Sequence, residues 1–323
     1  MIKRNHEKKR RKMEPHEELL SSPPIPPRKP DTDKTSVFGE WKITLTAKGH
    51  KYTVVSLING TPVVGQIDSV TQFSSGLFPK FDADKILKRY KEKGMLKFGG
   101  PVTKKQVVKE YWEENANHAA LLGTEMHSVI ESIFRKYMVT PPPRDYVLPT
   151  TLPPPIEGKP FPTIPIVPLY KTGSTIVEMR HLEQLISYFK ANHFEPIAIE
   201  KCLFSLQLLL CGTLDILVRD TITGDLYILD WKRREEFTTT SDYDTGIPKT
   251  PMEGRQHSHL ESAIVQLNMY RYMLQEGEHR VIKGLRIISI HPHLPAILVN
   301  EIPIDEPLTR ALVEYRLKTM TPK

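Results

Sequence analysis

"LLLCGTLDILVRDTITGDLYILDWKRREEF", Leu208 to Phe237, holds two apolar runs separated by a short polar segment. Each run has a carboxylate in its interior, Asp215 and Asp230, and Lys232 follows two residues after the second. Apolar strands normally exclude carboxylates, because an unpaired buried charge is costly. The segment "TITG", Thr221 to Gly224, suits a hairpin loop. A turn centred there pairs residues whose numbers sum to about 445, which sets Asp215 opposite Asp230 with Cβ atoms roughly 5 Å apart. Alternation then adds Lys232 to the same face and sends Tyr227, Leu229 and Trp231 to the other. A slip of one residue would undo the arrangement.

Facing carboxylates repel strongly at low dielectric, so without a cation the loss of one is expected to stabilise the protein. A divalent cation removes the conflict. Mg²⁺ takes one or two carboxylates together with waters and phosphate oxygens. An ammonium beside it can stabilise charge on a reacting phosphate or orient the attacking water. For an isolated D-x-K an ion pair on a half-exposed strand is the simpler reading; "GTLD" at matching register favours the metal site.

The 323 residues suffice for one large domain with extensions or two small ones, and 39% hydrophobic content permits a sizeable core. Two cysteines, Cys202 and Cys211, are too few for a disulfide framework, which fits a reducing, intracellular setting. No apolar run approaches the roughly 18 residues of a membrane span, and the charged N-terminus lacks a secretory signal. Of the net charge of +7, the run "KRNHEKKRRK" (Lys3 to Lys12) contributes +6. That run is compatible with nuclear import or a nucleic-acid tether; a mitochondrial or viral replication site stays open.

Residues 1–37 add "SSPPIPPRKPD" to the basic run and are expected to be disordered. Residues 38–323 are expected to form a single domain, interrupted at 140–168 by an extended arm with 11 of the 28 prolines. "WKITLTAKGHKYTVVSLING" alternates like strands with a turn at Asn59-Gly60. "FDADKILKRYKEKGM" reads as a helix, and "KKQVVKEYWEENANHAALLGTEMHSVIESIFRKYM" as one long or two adjoining helices. Thr175 and Glu178 form a capping box ahead of a helix whose face carries Leu182, Leu185, Ile186 and Phe189. "PIAIEKCLF", "KGLRIISIH" and "PAILVNE" are strands, while "LESAIVQLNMYRYMLQ" and Asp305 to Leu317 are helices.

Two helices add polar residues at helical spacing. Gly123, His127 and Glu131 recur every four residues and so share a face, as do Gln266 and Tyr270. Glu200 closes the apolar "PIAIE" run and faces the same site or the surface. G-T-x-x-H-x-x-x-E on a helix, a strand ending in Glu, "GTLD", "DWK" and a helix with Q-x-x-x-Y resemble, in that order, the RecB-like nucleases of the PD-(D/E)XK superfamily. The resemblance runs from Ser69 to His291 and is similar to the compact exonucleases of mitochondrial genome maintenance and of viruses and phages. It implies an α/β, restriction-endonuclease-like core with a central mixed sheet flanked by helices. It also implies His127, Asp215 and Asp230 as ligands of Mg²⁺ or Mn²⁺, Lys232 as the catalytic lysine, Gln266 and Tyr270 as its support, and Glu200 as an assisting group.

The iron–sulfur members of this family use four cysteines, so no such cluster is expected, and there is no Walker A motif. The expected activity is a metal-dependent DNA exonuclease in replication, repair or recombination, monomeric, with a channel that threads single strands from a free end. Tyr270 offers a ring on which threaded bases stack. The alternatives are a structure-specific or restriction-type endonuclease of the same superfamily and an idle nucleic-acid-binding module. A zinc protein is weaker, because "HSH" (His257 to His259) and "HPH" (His291 to His293) have no Cys partners at structural-site spacing.

Overall fold

The computed structural model describes residues 34–38, 40–46, 52–62, 67–92, 103–139, 177, 179–237 and 248–320. The basic run, the proline-rich segment and the Thr175/Glu178 cap lie outside them. Three strands, β1 (Lys34–Phe38), β2 (Trp41–Leu45) and β3 (Tyr52–Ser56), form a small antiparallel sheet. β1 lies largely inside the segment expected to be disordered. Its pairing of Phe38 with Trp41 leaves a two-residue connection, the length of a tight hairpin, so local pairing recruits residues whose composition alone reads as tail.

The larger sheet carries the site. After β4 (Asp68–Ser69) comes a short helix, α1 (Val70–Gly76), absent from the sequence expectations. It starts at a capping box: the Ser69 side chain accepts from the Gln72 N–H, and the Gln72 side chain accepts from the Ser69 N–H. α2 (Ala83–Glu92) precedes α3 (Thr103–Val139), a single 37-residue helix, and α4 is Met179–Ala191. β5 (Phe194–Ser205), β6 (Leu210–Asp220) and β7 (Leu226–Lys232) then form an antiparallel meander. A crossover through α5 (His259–Glu278) brings β8 (Ile282–Ser289) parallel to β7; β9 (Leu298–Ile302) pairs antiparallel to β8, and α6 (Glu306–Met320) ends the described chain.

The β6–β7 hairpin has the register read from the sequence: Ile216 faces Leu229 and Arg219 faces Leu226, pairs summing to 445. The Asp220 carboxylate accepts from the Ile222 N–H at 2.8 Å, and Gly224 takes φ +78, which only glycine adopts freely. The ladder stops at Ile216/Leu229. β5 pairs with β6 along its whole length on one edge, so the other edge is divided between β7 at residues 216–219 and β4 at 210–211. Between them the two strands fork, with Asp215 and Asp230 at the crotch.

Apolar layers cover both faces of the sheet. Leu214, Leu217, Ile228 and Ile287 pack with α1, α5 and α6, whereas Ile216, Leu229, Trp231 and Ile288 pack with α3 and α4. Trp231, 1% exposed, stacks on Phe134 at 5.7 Å and 7°. Burial of such a side chain stabilises the fold by roughly 1.5–3 kcal/mol. Arg316 of α6 donates to Asp68 Oδ2 and to the Leu208 and Leu209 carbonyls, which clamps β4 to the start of β6. The small sheet seals the outer end of β5 and β6 through Ile43, Val54, Phe204 and Cys211.

The glycine of "GTLD" is required by packing. A Cβ on Gly212 would stand 2.4 Å from Tyr270 Cε1, so α5 lies against bare backbone at this point. Gly212→Ala is therefore expected to cost about 1–3 kcal/mol of stability, as overpacking of a filled core does, measured as a lowered denaturant midpoint at unchanged slope.

Candidate active site

The row of carboxylates is one residue longer than the hairpin alone requires. β5 pairs Ile199 with Ile216 and Lys201 with Leu214, which sets Glu200 across from Asp215. Glu200, Asp215 and Asp230 therefore occupy one line across three strands. Glu200 does not end its strand, since β5 continues to Ser205. Instead it takes φ +48, a conformation that costs a non-glycine residue about 1–3 kcal/mol and re-aims its side chain.

His127 reaches this line from α3. Leu122, Met126, Ile130 and Phe134 form the buried stripe of that helix, and His127, next to Met126, lies on its flank. Its Nδ1 is 3.4 Å from Asp215 Oδ1 and 3.9 Å from Glu200 Oε1. Glu131 instead holds Arg135 at 2.8 Å. On the other side of the fork, Lys232 Nζ lies 2.7 Å from Asp230 Oδ2, an ion pair off the hydrogen-bond direction. Neither buried oxygen of Asp230 accepts an aligned hydrogen bond. Asp215 fills the gap left by the parted strands, its Oδ2 accepting from the Trp231 N–H at 2.8 Å.

The electrostatics follow from these contacts. Burial pushes the Asp230 carboxyl up to about 6, opposed by Lys232 and reinforced by Asp215. Burial also works against ionised Asp215, but His127, Lys232 and the Trp231 N–H outweigh it and hold that carboxyl below its usual range. The His127 ring resists charging because it is enclosed, yet Asp215 and Glu200 raise it to about 10. Lys232 is likewise raised, its carboxylate neighbours overcoming burial. Each carboxylate thus already has a cation beside it. Removing one would leave a buried cation behind, so the gain in stability expected from relieved repulsion does not follow.

His127, Glu200 and Asp215 each offer a donor atom within 4.8 Å of the others. These separations exceed ordinary hydrogen bonds and suit oxygen and nitrogen ligands about 2.1 Å from one hard cation. The residues therefore fit a divalent metal. Asp230, expected from the sequence as a ligand, adjoins this group of three and pairs with Lys232, while Glu200 adds a carboxylate to it.

α5 flanks the same face. Gln266 Nε2 donates to the Tyr270 hydroxyl at 3.1 Å. Tyr270 is 2% exposed and packed on Gly212, so it has no free ring face for a base. Its hydroxyl is raised by burial, with Asp230 and Asp215 near enough to add to the effect. Arg234 was missed in the sequence, although alternation from Asp230 and Lys232 predicts it on this face. Its guanidinium lies 5.0 Å over the Phe237 ring, close enough to Asp230 and His259 to influence both.

The sequence profile of the PD-(D/E)XK nuclease superfamily matches residues 103–296, more than half of the chain, from the start of α3 to beyond β8. The chain belongs to the PD-(D/E)XK nuclease superfamily. As a member it has the restriction-endonuclease-like mixed α/β core, and the superfamily points to a metal-dependent nuclease acting on nucleic acid. Among solved structures, one titled "Crystal structure of SSO0001" is similar at 18% identity over 43% of this chain and 57% of that chain, with a TM-score of 0.22. The chain thus spans a little over half the length of that protein. Comparison with curated proteins gave no match. Among the described residues of this superfamily member, no helix is long and apolar enough to cross a membrane.

Divalent cation is expected to raise the thermal midpoint of the wild-type protein, since a ligand at 100 times its Kd adds about 2.7 kcal/mol. Asp215→Asn should lose most of that increment in the same melting experiment, because its carboxylate supplies one of the three clustered donor atoms.

Proposed function

We propose that the protein is a RecB-like exonuclease that hydrolyses single-stranded DNA from a free end with Mg²⁺ or Mn²⁺. The observation that carries the reading is the Glu200–Asp215–Asp230 line flanked by His127 on one side and Lys232 on the other. His127, Asp215 and Glu200 would hold the ion, with Asp230 beside it. When bound, such an ion polarises a phosphoryl oxygen and makes water a nucleophile at neutral pH.

The remaining steps belong to the chain's own residues. Lys232, raised by its carboxylates, is an ammonium at neutral pH. It serves as a charge stabiliser for the reacting phosphate, not as a base. Asp230 holds the ammonium on its fork arm, and the Asp215–Trp231 bond fixes the two arms relative to each other. Gln266 and Tyr270 support the α5 wall. Arg234 extends the positive charge along β7 toward the adjacent phosphate.

A path for a single strand leads away from the fork. His259 lies between Arg234 and His257 in its electrostatic contacts, and His257 stacks on Phe78 at 4.5 Å. Beyond it a pocket of about 490 Å³ is lined by Gln72, Lys80, Phe81 and His257, among others. Phe81 is 52% exposed and meets the Trp112 edge at 5.7 Å. These rings take the stacking role that the buried Tyr270 cannot. The basic N-terminal run would add affinity or direct the protein to the nucleus.

Lys232→Ala should lower the cleavage rate by about 10²-fold or more while DNA binding stays nearly intact, since the lysine acts on the transition state. Measured with end-labelled substrates, linear single strands should be degraded progressively and closed single-stranded circles should survive. Rapid cutting of circles would replace this reading with the endonuclease one. Phe81→Ala should weaken binding of a single-stranded oligonucleotide by about 1–3 kcal/mol, the value of one stacked base, read by fluorescence anisotropy.

A further inference from the structure

A second group of metal-binding side chains lies outside the fork. β7 and β8 run parallel with Lys232 opposite Ser289, and the Ile290 N–H donates to the Lys232 carbonyl at 2.9 Å. Both chains therefore leave the sheet side by side. Glu235, three residues past Lys232, meets His291 and His293 there. His293 Nδ1 lies 2.6 Å and His291 Nδ1 3.6 Å from the same Glu235 oxygen. The three donor atoms fall within 4.8 Å of one another.

We propose that Glu235, His291 and His293 form a second metal site, separate from the catalytic one, that binds a borderline transition-metal dication of the Zn²⁺ class. Two imidazoles and one carboxylate suit Zn²⁺, Co²⁺ or Ni²⁺, whereas Mg²⁺ selects oxygen ligands. Bonds of 2.0–2.1 Å in a tetrahedron separate ligand atoms by about 3.3 Å. The two distances to Glu235 straddle that value, so small side-chain adjustments seat the ion. Glu235 and His293 are half exposed, which gives an entry path and a fourth position for water.

The loop that carries the histidines is held from below. Buried His181 makes a 2.9 Å hydrogen bond to the Leu294 carbonyl through Nε2, and Arg180 donates to the Pro292 and Leu294 carbonyls. His291 is the most enclosed ligand, its side chain 12% exposed. Its Nδ1 now receives a long 3.3 Å contact from the His293 N–H, which a metal bond would replace. The positive charge of Arg233 opposes the ion and Glu235 offsets it. Occupancy would tie the exit of β7 to that of β8 and so restrain the segment that presents Lys232.

The test is calorimetric titration of the full chain with Zn²⁺ in the presence of excess Mg²⁺, using wild type, Asp215→Asn, His293→Ala and Glu235→Gln. The expected result is one Zn²⁺ equivalent retained in Asp215→Asn and lost in His293→Ala and in Glu235→Gln, with a matching Zn²⁺-dependent rise in melting temperature. His293 and Glu235 are half exposed, so both variants should fold, and their metal-free melting temperatures check it. An equivalent lost in Asp215→Asn but kept in His293→Ala would assign the metal to the fork and overturn the proposal. Absence of Zn²⁺ binding in wild type would overturn it too, leaving a hydrogen-bonded cluster alone. Neither outcome depends on cleavage, so the exonuclease reading stands or falls separately.

Discussion

One hydrogen bond organises the functional end of this protein: the Asp215 carboxylate accepts the Trp231 N–H that the parted strands leave without a ladder partner. A buried backbone donor must be satisfied, and a side chain from the opposite strand can do so only where the strands have begun to diverge. The same divergence leaves Asp215 within reach of His127 on one side and Asp230 paired with Lys232 on the other. Trp231 is fixed from its other face by Phe134, so the position of the fork is set by core packing as well as by polar contacts.

Around that bond, charges are arranged in compensating pairs. His127 faces Asp215 and Glu200, while Lys232 faces Asp230. Side-chain cations thus already offset part of the charge of the three nearly buried carboxylates. A metal held at the fork would take the His127 ring in its neutral form, because the imidazole binds only through a free lone pair. Affinity at the fork is thus coupled to proton release.

Much of the site could be read from the sequence, because a hairpin with a short loop converts residue numbers into spatial partners. Asp215, Asp230 and Lys232 follow from that arithmetic, and His127 from helical spacing added to the family resemblance. Glu200 was only half visible. Its position opposite Asp215 depends on a strand that continues past it and on a left-handed residue, and neither leaves a compositional trace. Tyr270 looked like a binding aromatic because sequence carries no information about Gly212 lying beneath its ring. β1 was hidden by the proline-rich composition before it. α1 was missed although S-x-x-Q, its capping box, was present in Ser69–Gln72. Glu235 escaped notice beside the two histidines because strand pairing, not sequence distance, brings them together.

The length of α3 has a mechanical consequence. Among the described residues its buried apolar stripe begins at Leu122; before it, Lys109 pairs with Asp84 of α2, Trp112 meets the ring of Phe81 and His118 lies within electrostatic reach of Arg233. At 1.5 Å per residue, Thr103 stands about 28 Å from Leu122 and His127 only about 8 Å from it. A tilt of about 5° pivoting at Leu122 would carry the far end through about 2.5 Å and His127 through less than about 1 Å. The helix thus has unequal arms about Leu122, so that a displacement of its far end reaches His127 reduced several-fold.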